Sequence, residues 1–455
     1  MDLHLYNSLS KGKEKFIPKE KGNVNIYSCG PTVYNTPHIG NLRNFIIVDF
    51  MKSTFKLNKY KINHIMNITD VGHLVSDSDE GEDKIKLASK KEKITVWDIA
   101  KKYTDIFKKN LKELNIELPN KFPKATDHIK EQILMIKKLE EKEYAYSAGG
   151  NVYFDTSKVK YGKLGGIVED SKSRVGLDLN KKNKHDFVLW FTKSKFDDQD
   201  MKWDSPWGEG YPGWHIECSA MASKYLGKNI DIHTGGEDLL PIHHNNEICQ
   251  SEAYYGINRW VNYWTHISFL NINSEKMSKS KNNFVTLEDI KQSDYSPLDF
   301  RYYCLGTHYR KNMNFTDDGI KSAKLSRKNL IEQYVKLDDI KKDNLYETYI
   351  DEIKESLLDD FNFPKALGIM NLSLNNEKTS EFDKKKIIEF IDDLFKLGIR
   401  ESVKIPKEIM DKIKMRDKFR LNRKFQEADK IREDLEKNNY IIMDEIEKTY
   451  VYKKN

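Results

Sequence analysis

Apolar runs and helical apolar patterns alternate along the first part of this 455-residue chain. A short apolar run at residues 24–27 predicts a strand, and residues 41–57, apolar on nearly all sides, predict a helix packed onto a sheet. Residues 61–67 predict a second strand. Two strands joined through a helix favour a right-handed crossover within one parallel sheet.

The same order of elements returns after residue 204. Residues 229–233 predict a strand, a glycine turn is predicted at 234–238, and a helix is predicted from about residue 243. This repetition predicts an α/β fold, a Rossmann-type doubly wound parallel sheet split by an inserted subdomain. The insertion, residues 126–203, combines a predicted helix, two strand-like runs and a charged loop.

The chain changes character towards its C-terminal end. A polar, lysine-bearing loop occupies residues 273–283, and helical patterns dominate from about residue 299. Residues 406–437 predict a charged helical pair, and residues 440–452 predict a small hairpin. The predicted units are 1–125 and 204–260 for the two halves of the nucleotide-binding domain, 126–203 for the insertion, 261–320 for a linking fold, 321–400 for a helical bundle and 401–455 for a small C-terminal domain.

Composition narrows the class of protein. A chain of this length has room for about three domains. With 38% hydrophobic residues, 33% charged residues and a net charge of +6, it allows a polyanionic partner without demonstrating one. The four cysteines lack disulfide-scaffold spacing and predict reduced thiols. Because no stretch resembles a signal peptide or a membrane span, we expect a cytoplasmic protein without membrane contact.

A tight connection at residues 29–41 joins the first predicted strand to the first predicted helix. Backbone N–H groups at a helix start can receive a phosphate, and His38 can donate a hydrogen bond to the same anion. Cys29 ends the strand, at the edge where open parallel sheets bind ligands. The connection therefore offers both a phosphate site and a thiolate site.

Four side chains form a candidate metal set. His243 and Glu247, four residues apart on a predicted helix, share one face, whereas His244 lies roughly 100° around the helix and is expected to point elsewhere. A His–Glu pair of this kind is commonly a surface interaction. Cys29 and Cys218, each at a predicted strand-edge turn, complete a set of two sulfurs, one nitrogen and one oxygen that suits zinc. The order of these residues does not by itself show that they meet.

Two lysines, Lys276 and Lys279, flank a Met-Ser pair in the polar loop. Most lysine-rich loops are solvated charge runs. The functional alternative is a clamp whose ammonium groups neutralise charge on a triphosphate as pyrophosphate leaves. Gly235 and Gly236, with Asp238 close by, would let a ribose and an adenine ring lie against the backbone.

The two phosphate-binding motifs resemble those of a known class of enzymes. PHIGN at 37–41 and KMSKS at 276–280 are similar to the two signatures of the class I aminoacyl-tRNA synthetases. The first signature usually ends in His, whereas this chain has Asn41, which donates a hydrogen bond but carries no charge. The acidic segment 71–83 is longer than in the shorter members of the family, and its role is open.

Within that class, the candidate metal residues point to one family. Cys29, GWHIEC at 213–218 and HHNNE at 243–247 resemble cysteinyl-tRNA synthetase, and the similarity covers essentially the whole chain. The resemblance implies a cysteine-specific ligase that converts L-cysteine and ATP, with Mg²⁺ on the phosphates, to cysteinyl-adenylate and pyrophosphate. The cysteinyl group then passes to the 3′-terminal ribose of tRNA(Cys).

The resemblance also implies one Zn²⁺ per chain, joined by the substrate thiolate, and we expect a monomer. The implied residues are Cys29, Cys218, His243 and Glu247 for zinc; His38, Lys276 and Lys279 for catalysis; His38, Gly40, Asn41, Gly235, Gly236, Asp238, Lys276 and Lys279 for ATP; Thr69 and Trp214 for the amino-acid pocket; and Arg420, Asp429, Arg432 and Asp444 for the anticodon.

Two alternative functions stay open at this point. Relatives that give activated cysteine to an amino sugar resemble the catalytic half but lack an anticodon-reading tail, and the predicted helical pair and hairpin argue against that function. The other alternative is a zinc-stabilised RNA-binding protein without catalysis, against which His38 and the two lysines argue. For any one anticodon candidate, pairing on a solvated helix is about as good an explanation.

Overall fold

The structure is a computed structural model that describes residues 2–71, 84–165, 179–193, 200–228, 230–276, 283–337, 345–446 and 448–454. The strands are β1 (His4–Asn7), β2 (Gly12–Lys15), β3 (Asn23–Ser28), β4 (Lys61–Met66), β5 (Ala145–Ala148), β6 (Asn151–Phe154), β7 (Phe187–Phe191), β8 (Tyr211–Pro212), β9 (Ile230–Gly236), β10 (Val261–Ile267), β11 (Leu270–Ile272), β12 (Glu275–Lys276), β13 (Met313–Phe315), β14 (Tyr440–Asp444) and β15 (Thr449–Lys453). The helices are α1 (Ile39–Leu57), α2 (Lys84–Glu92), α3 (Val96–Glu113), α4 (Ile129–Glu141), α5 (Trp214–Leu226), α6 (His243–Tyr255), α7 (Leu287–Gln292), α8 (Pro297–Cys304), α9 (Asp317–Tyr334), α10 (Leu345–Leu358), α11 (Phe363–Asn375), α12 (Glu381–Phe395), α13 (Ile399–Ser402), α14 (Lys407–Leu421) and α15 (Phe425–Lys437).

The central sheet consists of parallel strands in the order β10-β9-β3-β4. Ile26 of β3 lies opposite His64 of β4 on one side and Ile232 of β9 on the other. The chain runs from β3 through α1 to β4, but from β9 through α6 to β10, so it leaves the two central strands in opposite directions along the sheet. The crevice between the carboxyl ends of β3 and β9 is therefore the switch point at which doubly wound sheets bind ligands. The predicted α/β fold class is confirmed.

Two elements at this edge extend further than the sequence predicts. Helix α1 begins at Ile39, so Gly40 and Asn41 lie in its first turn. Gly235 and Gly236, predicted in a turn, form the last two residues of β9. Both differences bring the backbone of these residues to the carboxyl edge of the sheet.

A third boundary concerns a candidate metal ligand. Helix α5 begins at Trp214, so Cys218 lies in its second turn, and the prediction that Cys218 sits at a strand-edge turn is wrong. Gly213 precedes the helix with an extended backbone and no side-chain cap. The start of α5 therefore carries none of the usual capping signals.

The remaining elements form the insertion and the C-terminal half. The insertion contains α4 and an antiparallel sheet in the order β5-β6-β7-β8. A second small sheet, β12-β11-β13, lies in the linking fold before α9 to α13, which form the helical bundle. The predicted helical pair is α14 and α15, and the predicted hairpin is β14 and β15.

Helix α1 is shared between the central sheet and the helical bundle. It is buried on nearly all sides, and its Phe50 packs edge-on against Phe363 of α11 and Phe395 of α12. One hydrophobic core therefore joins the ligand-binding edge to the C-terminal half. Within the described ranges, no helix is long and apolar enough to cross a membrane.

Candidate active site

Four side chains from three parts of the fold meet beside the carboxyl end of β3. Cys29 follows β3, Cys218 comes from α5, and His243 and Glu247 come from the first two turns of α6. One ligand atom from each lies within 4.8 Å of all the others. Glu247 Oε1 is 3.0 Å from His243 Nε2 and 3.8 Å from Cys29 Sγ. The structure thus brings the four predicted residues together in an arrangement that fits a metal ion.

The charge states of this cluster favour a cation. Burial raises the pKa of the Cys29 thiol well above its ordinary value, and the neighbouring Cys218 adds to that effect. The hydrogen bond from Cys29 lowers the pKa of Cys218 to about 7, although burial acts the other way. Burial would likewise raise the pKa of Glu247, but His233 and His243 beside it lower that pKa to about 2. A carboxylate and an easily ionised thiol are therefore held in a buried place, where a divalent cation stabilises both.

A second set of side chains also has metal-binding spacing: Cys29, His233, His244 and Glu247. His233 distinguishes the two sets, because a metal-bound His almost always donates the N–H of its other ring nitrogen to a neighbour. His243 Nδ1 is 2.9 Å from His215 Nδ1, whereas His233 Nδ1 is buried with no partner among the described residues. His233 instead places Nε2 3.0 Å from Glu247 Oε2 and can orient that carboxylate. The set predicted from the sequence therefore fits a metal better than the second set.

His244 faces the same cluster, so the expectation that it points elsewhere is wrong. Its Nε2 is 3.4 Å from Cys29 Sγ, and its Nδ1 is 2.8 Å from His266 Nε2. Helix α6 is buried on every side from residue 243 to residue 251, so a side chain a quarter-turn away still meets protein. The same burial rules out a solvated surface pair for His243 and Glu247.

A cavity of about 260 Å³ opens beside the cluster, at the switch point of the sheet. Its lining includes six residues predicted for the nucleotide, the metal or the amino acid: Cys29, His38, Asn41, Trp214, Gly236 and Asp238. Asn44, Lys84 and Phe284 also line it and were not predicted. Asn44 lies one turn after Asn41 on a predicted helix, which is a usable signal, whereas nothing in the sequence singles out Lys84.

His38 and Asn41 cap helix α1 reciprocally. His38 Nδ1 accepts from the Asn41 backbone N–H at 3.1 Å, and Asn41 Oδ1 accepts from the His38 backbone N–H at 3.2 Å. This is a capping box, and the first turn of α1 holds no acidic residue, so the helix start stays positive. Because Nδ1 is the acceptor, a neutral His38 carries its proton on Nε2 and donates from there. Asn41 therefore has a structural role that the sequence left open.

The glycines predicted to bind ATP have different neighbours. A Cβ at Gly236 would lie 2.2 Å from Asp238 Oδ1, and one at Gly235 would lie 2.7 Å from His244 Cε1. Gly236 lines the cavity, whereas Gly235 leaves room for a histidine of the cluster. Gly40, in the first turn of α1, is not among the described lining residues.

The two residues predicted for the amino-acid pocket have different surroundings. The ring of Trp214 lines the cavity, with its centroid 4.3 Å from that of His243. Thr69 is buried; its hydroxyl donates to Glu217 Oε2 at 3.3 Å and accepts from Asn67 Nδ2 at 3.0 Å. Trp214 therefore lines the cavity, whereas Thr69 is buried and bonded to Asn67 and Glu217.

Three sequence predictions fall on parts that the structure does not describe. Lys279 and the side chain of Lys276 lie outside the described residues, as does segment 72–83. The roles predicted for the two lysines stay predictions.

Arginines converge on Asp444 at the end of β14, far along the chain from the cavity. Arg416, Arg420 and Arg432 place a guanidinium nitrogen 2.6, 2.7 and 3.4 Å from Asp444 Oδ2, and the bond from Arg416 lowers the pKa of that carboxyl. Asp429 is exposed on α15. Arg416 was not predicted. Arg416 also pairs with Asp417 and Arg432 with Glu436, so the three guanidinium groups of this cluster meet three carboxylates.

Comparisons with known proteins agree with this geometry. Residues 15–325 match the family model of the class I (C) tRNA synthetase catalytic domain. A cysteine–tRNA ligase of Treponema denticola is 41% identical, and one of Borrelia hermsii is 38% identical, each over 99% of both chains. A methionyl-tRNA synthetase of Mycobacterium tuberculosis, solved with methionyl-adenylate, has a TM-score of 0.60 over 85% of this chain and 94% of its own, at 14% identity.

The doubly wound sheet and the cavity at its switch point, together with the matched family model, define the class as that of the class I aminoacyl-tRNA synthetases. Within that class, this chain belongs to the cysteinyl-tRNA synthetase family.

Proposed function

We propose that this chain ligates L-cysteine to tRNA(Cys) at the expense of ATP. The observation that supports this most is the cluster of Cys29, Cys218, His243 and Glu247 beside a cavity at the switch point of the sheet. Zn²⁺ held by these four side chains, one ion per chain, would favour a thiolate sulfur over a hydroxyl and so select cysteine against serine. Selection of that strength makes a separate editing site unnecessary.

We propose that ATP, with Mg²⁺ on its phosphates, occupies the cavity. The first-turn N–H groups of α1 and the Nε2–H of His38 would bind phosphate oxygens, while Gly236 and Asp238 lie where the ribose and base would pass. Lys276 and Lys279 would neutralise the phosphates from the opposite side. The cysteine carboxylate attacks the α-phosphorus, the bond to pyrophosphate breaks, and cysteinyl-adenylate forms. Catalysis on this scheme comes from position and charge.

In the second step, the terminal ribose hydroxyl of the tRNA attacks the adenylate carbonyl and AMP leaves. We propose that Arg420, Arg432 and Asp429 contact the anticodon, as bases of a splayed loop are read at their edges. Asp444 already accepts hydrogen bonds from Arg416 and Arg420, so its part is to orient arginines. We retain the predicted division into units, a monomeric chain and a reducing cytoplasm, where free thiols persist.

The decisive assay is cysteine-dependent exchange of pyrophosphate into ATP. We expect exchange with cysteine and none with serine. Charging of tRNA(Cys) then separates this function from transfer of cysteine to another acceptor. A folded, zinc-loaded protein without exchange would contradict the proposal and favour an RNA-binding protein that lacks catalysis.

Metal content tests the zinc ligands, and the second set of side chains determines which variants are informative. Cys29 and Glu247 belong to both sets, so their removal cannot distinguish them. We expect Cys218→Ser to lose tightly bound zinc and His233→Asn, which removes a hydrogen bond to the Glu247 carboxylate, to keep one ion per chain at lower affinity. The reverse result would place the metal in the second set.

A separate pair of variants tests the anticodon surface. Arg420→Ala should raise the KM for tRNA in charging and leave pyrophosphate exchange unchanged, because the latter does not need tRNA. Lys414→Ala, an exposed lysine on the same helix paired with Asp411, is the control and should change neither. Equal effects of the two variants would contradict a specific role for Arg420.

A further inference from the structure

Arg43, in the second turn of α1, is a fully buried arginine whose partners are all main-chain carbonyls. Its Nη1 donates to the carbonyls of Ser268 and Phe269, the latter at 3.1 Å. Its Nη2 donates to the carbonyls of His308 at 3.4 Å and Lys311 at 3.1 Å. Within the described part of the chain, no carboxylate forms an ion pair with it. A single side chain thus holds two separate loops.

Stability alone does not account for this arrangement. A guanidinium buried without a counter-charge loses its hydration, and buried ionic groups can often be replaced by apolar ones without loss of stability. The Nε of Arg43 is also buried without a hydrogen-bond partner among the described residues. The planar guanidinium is a rigid fork of donors, so it fixes the distance between the two loops that it bonds.

Both loops lead into the β12-β11-β13 sheet, in which strand β12 ends at Lys276, the first lysine of the signature. Phe269 directly precedes β11, and Lys311 lies two residues before β13, which pairs with β11. β11 in turn pairs with β12, with Asn271 opposite Lys276. The backbone of the first signature lysine is therefore one strand away from carbonyls that Arg43 holds.

The chain on the far side of the lysine signature is bonded to the same helix. The backbone N–H of Ile39, the first residue of α1, donates to the carbonyl of Val285 at 2.9 Å. His38 pairs with Thr286 in an isolated bridge and packs edge-on against Phe284. Helix α1 and its N-cap therefore contact the chain both before and after residues 277–282.

We propose that Arg43 is a positioning residue that sets the β11–β12 hairpin, which ends at the first signature lysine, Lys276, at a fixed distance from the start of α1. This inference rests on the proposed function, since it assigns the lysines to the ATP phosphates. The contact between the lysines and the phosphates matters most when charge develops on the phosphates. Loss of the Arg43 guanidinium should therefore lower kcat of the activation step more than it weakens cysteine binding.

The test compares Arg43→Met and Arg43→Lys with Arg301→Met in the full, zinc-loaded chain. Arg301 is the matched control: it is equally buried and bonds Asp49 of α1, but its other acceptors are the carbonyls of Leu114 and Phe395. Two readouts are measured below the unfolding temperature. One is hydrogen–deuterium exchange of the backbone amides at 270–276, and the other is pyrophosphate exchange alongside transfer from preformed cysteinyl-adenylate to tRNA.

We expect Arg43→Met to speed hydrogen exchange at 270–276 and to lower kcat of pyrophosphate exchange by about 10- to 100-fold, the effect of an ångström-scale misplacement. The KM for cysteine and the transfer step should change little, and Arg43→Lys should fall between Arg43→Met and the wild type. Arg301→Met should leave hydrogen exchange at 270–276 as in the wild type. If Arg43→Met does not fold, Arg43→Lys decides by the same readouts.

Unchanged hydrogen exchange at 270–276 in the Arg43 variants, or a loss of kcat no larger than in Arg301→Met, overturns the assignment. A wild-type protein without pyrophosphate exchange would contradict the proposed function instead. In that case hydrogen exchange at 270–276 still decides whether Arg43 positions the hairpin.

Discussion

Gly30 directly follows Cys29 of the candidate metal cluster and precedes the turn into α1, and its replacement by Ala is a direct test of the close packing there. Its N–H donates to Asn67 Oδ1 at 2.8 Å. A Cβ at this position would lie 1.7 Å from the carbonyl oxygen of Asn67. Because that oxygen belongs to the backbone, it cannot rotate out of the way. Carbon and oxygen approach to about 3.3 Å, so the two chain segments would have to separate by about 1.6 Å, the difference between 3.3 and 1.7 Å.

This displacement sets the expected magnitude. Overpacking a core costs about 1–3 kcal/mol when side chains can adjust, and a backbone clash belongs at the upper end or above it. We therefore expect Gly30→Ala to lower the free energy of unfolding by about 3 kcal/mol. The same shift displaces the chain next to Cys29, so zinc affinity should fall and pyrophosphate exchange should drop by about 100-fold.

The assay combines thermal unfolding, zinc content and pyrophosphate exchange, with Gly12→Ala as the matched control. Gly12 lies in β2, and a Cβ there would meet no atom within 4 Å. Gly12→Ala should therefore behave like the wild type in all three measurements. If Gly30→Ala also keeps the wild-type unfolding temperature and zinc content, the contact between the ends of β3 and β4 is not what holds Cys29 in place.

Three further substitutions test the packing of the helices. Gly368→Ala, inside α11 with no atom within 4 Å of the added Cβ, should raise the free energy of unfolding by about 1 kcal/mol in denaturant titrations. Burial would raise the pKa of Asp49, but Arg301, Lys396 and Lys52 together outweigh it and the pKa is lowered. The stability from Asp49 is therefore present above about pH 4 and lost as pH falls through the lowered pKa, so Asp49→Asn should cost about 3–5 kcal/mol at pH 7 and progressively less below about pH 4. Burial lowers the pKa of Lys52 from 10.5 to about 8, so its buried charge opposes folding at pH 7. Lys52→Met should stabilise the protein by up to about 3 kcal/mol in denaturant titrations at pH 7, a gain that fades as pH rises from about 8 to 10.5.

The central sheet could be predicted because its strands and helices carry strong periodic signals. Val24, Ile26 and Tyr27 of β3 are buried, and helix α1 has buried apolar residues on nearly all sides. The start of α5 could not be predicted, because Gly213 offers no side-chain cap and the preceding Trp-rich stretch resembles a strand. The carboxyl end of β9 was also missed. Two successive glycines, Gly235 and Gly236, indicate a turn unless pairing with a neighbouring strand holds them in a strand.

The candidate site could be predicted in its residue types but not in its surroundings. Cys29 and Cys218 were identified by residue type and by their predicted places at strand-edge turns; they are far apart in sequence and meet only through the sheet topology. The exclusion of His244 failed because helical geometry tells which side chains share a face, and not how many faces of the helix are covered. For α6 every face is covered, so neighbouring residues contribute to one histidine cluster.

The role of Asn41 shows how a departure from a family pattern can be explained locally. The spacing of three residues between His38 and Asn41 is that of a capping box, a signal already present in the sequence. With Asn41 in that role, the first turn of α1 keeps its remaining N–H groups for an anion, and His38 is fixed in the tautomer that donates from Nε2. A histidine in place of Asn41 would add charge, whereas Asn41 makes the helix start more rigid without adding charge.

Helix α1 is the element through which these separate features act on one another. Its cap at His38 faces the cavity, Arg43 holds the hairpin of the lysine signature, and Asp49 forms a buried ion pair with Arg301 of α8. These three side chains are spaced so that each meets a different neighbour around a helix that is buried on nearly all sides. A rigid helix transmits displacement along its axis, so the turn at His38, the β11–β12 hairpin and the helical bundle share one frame of reference. The variants that test this shared frame therefore lie along α1 and at Gly30, which precedes it.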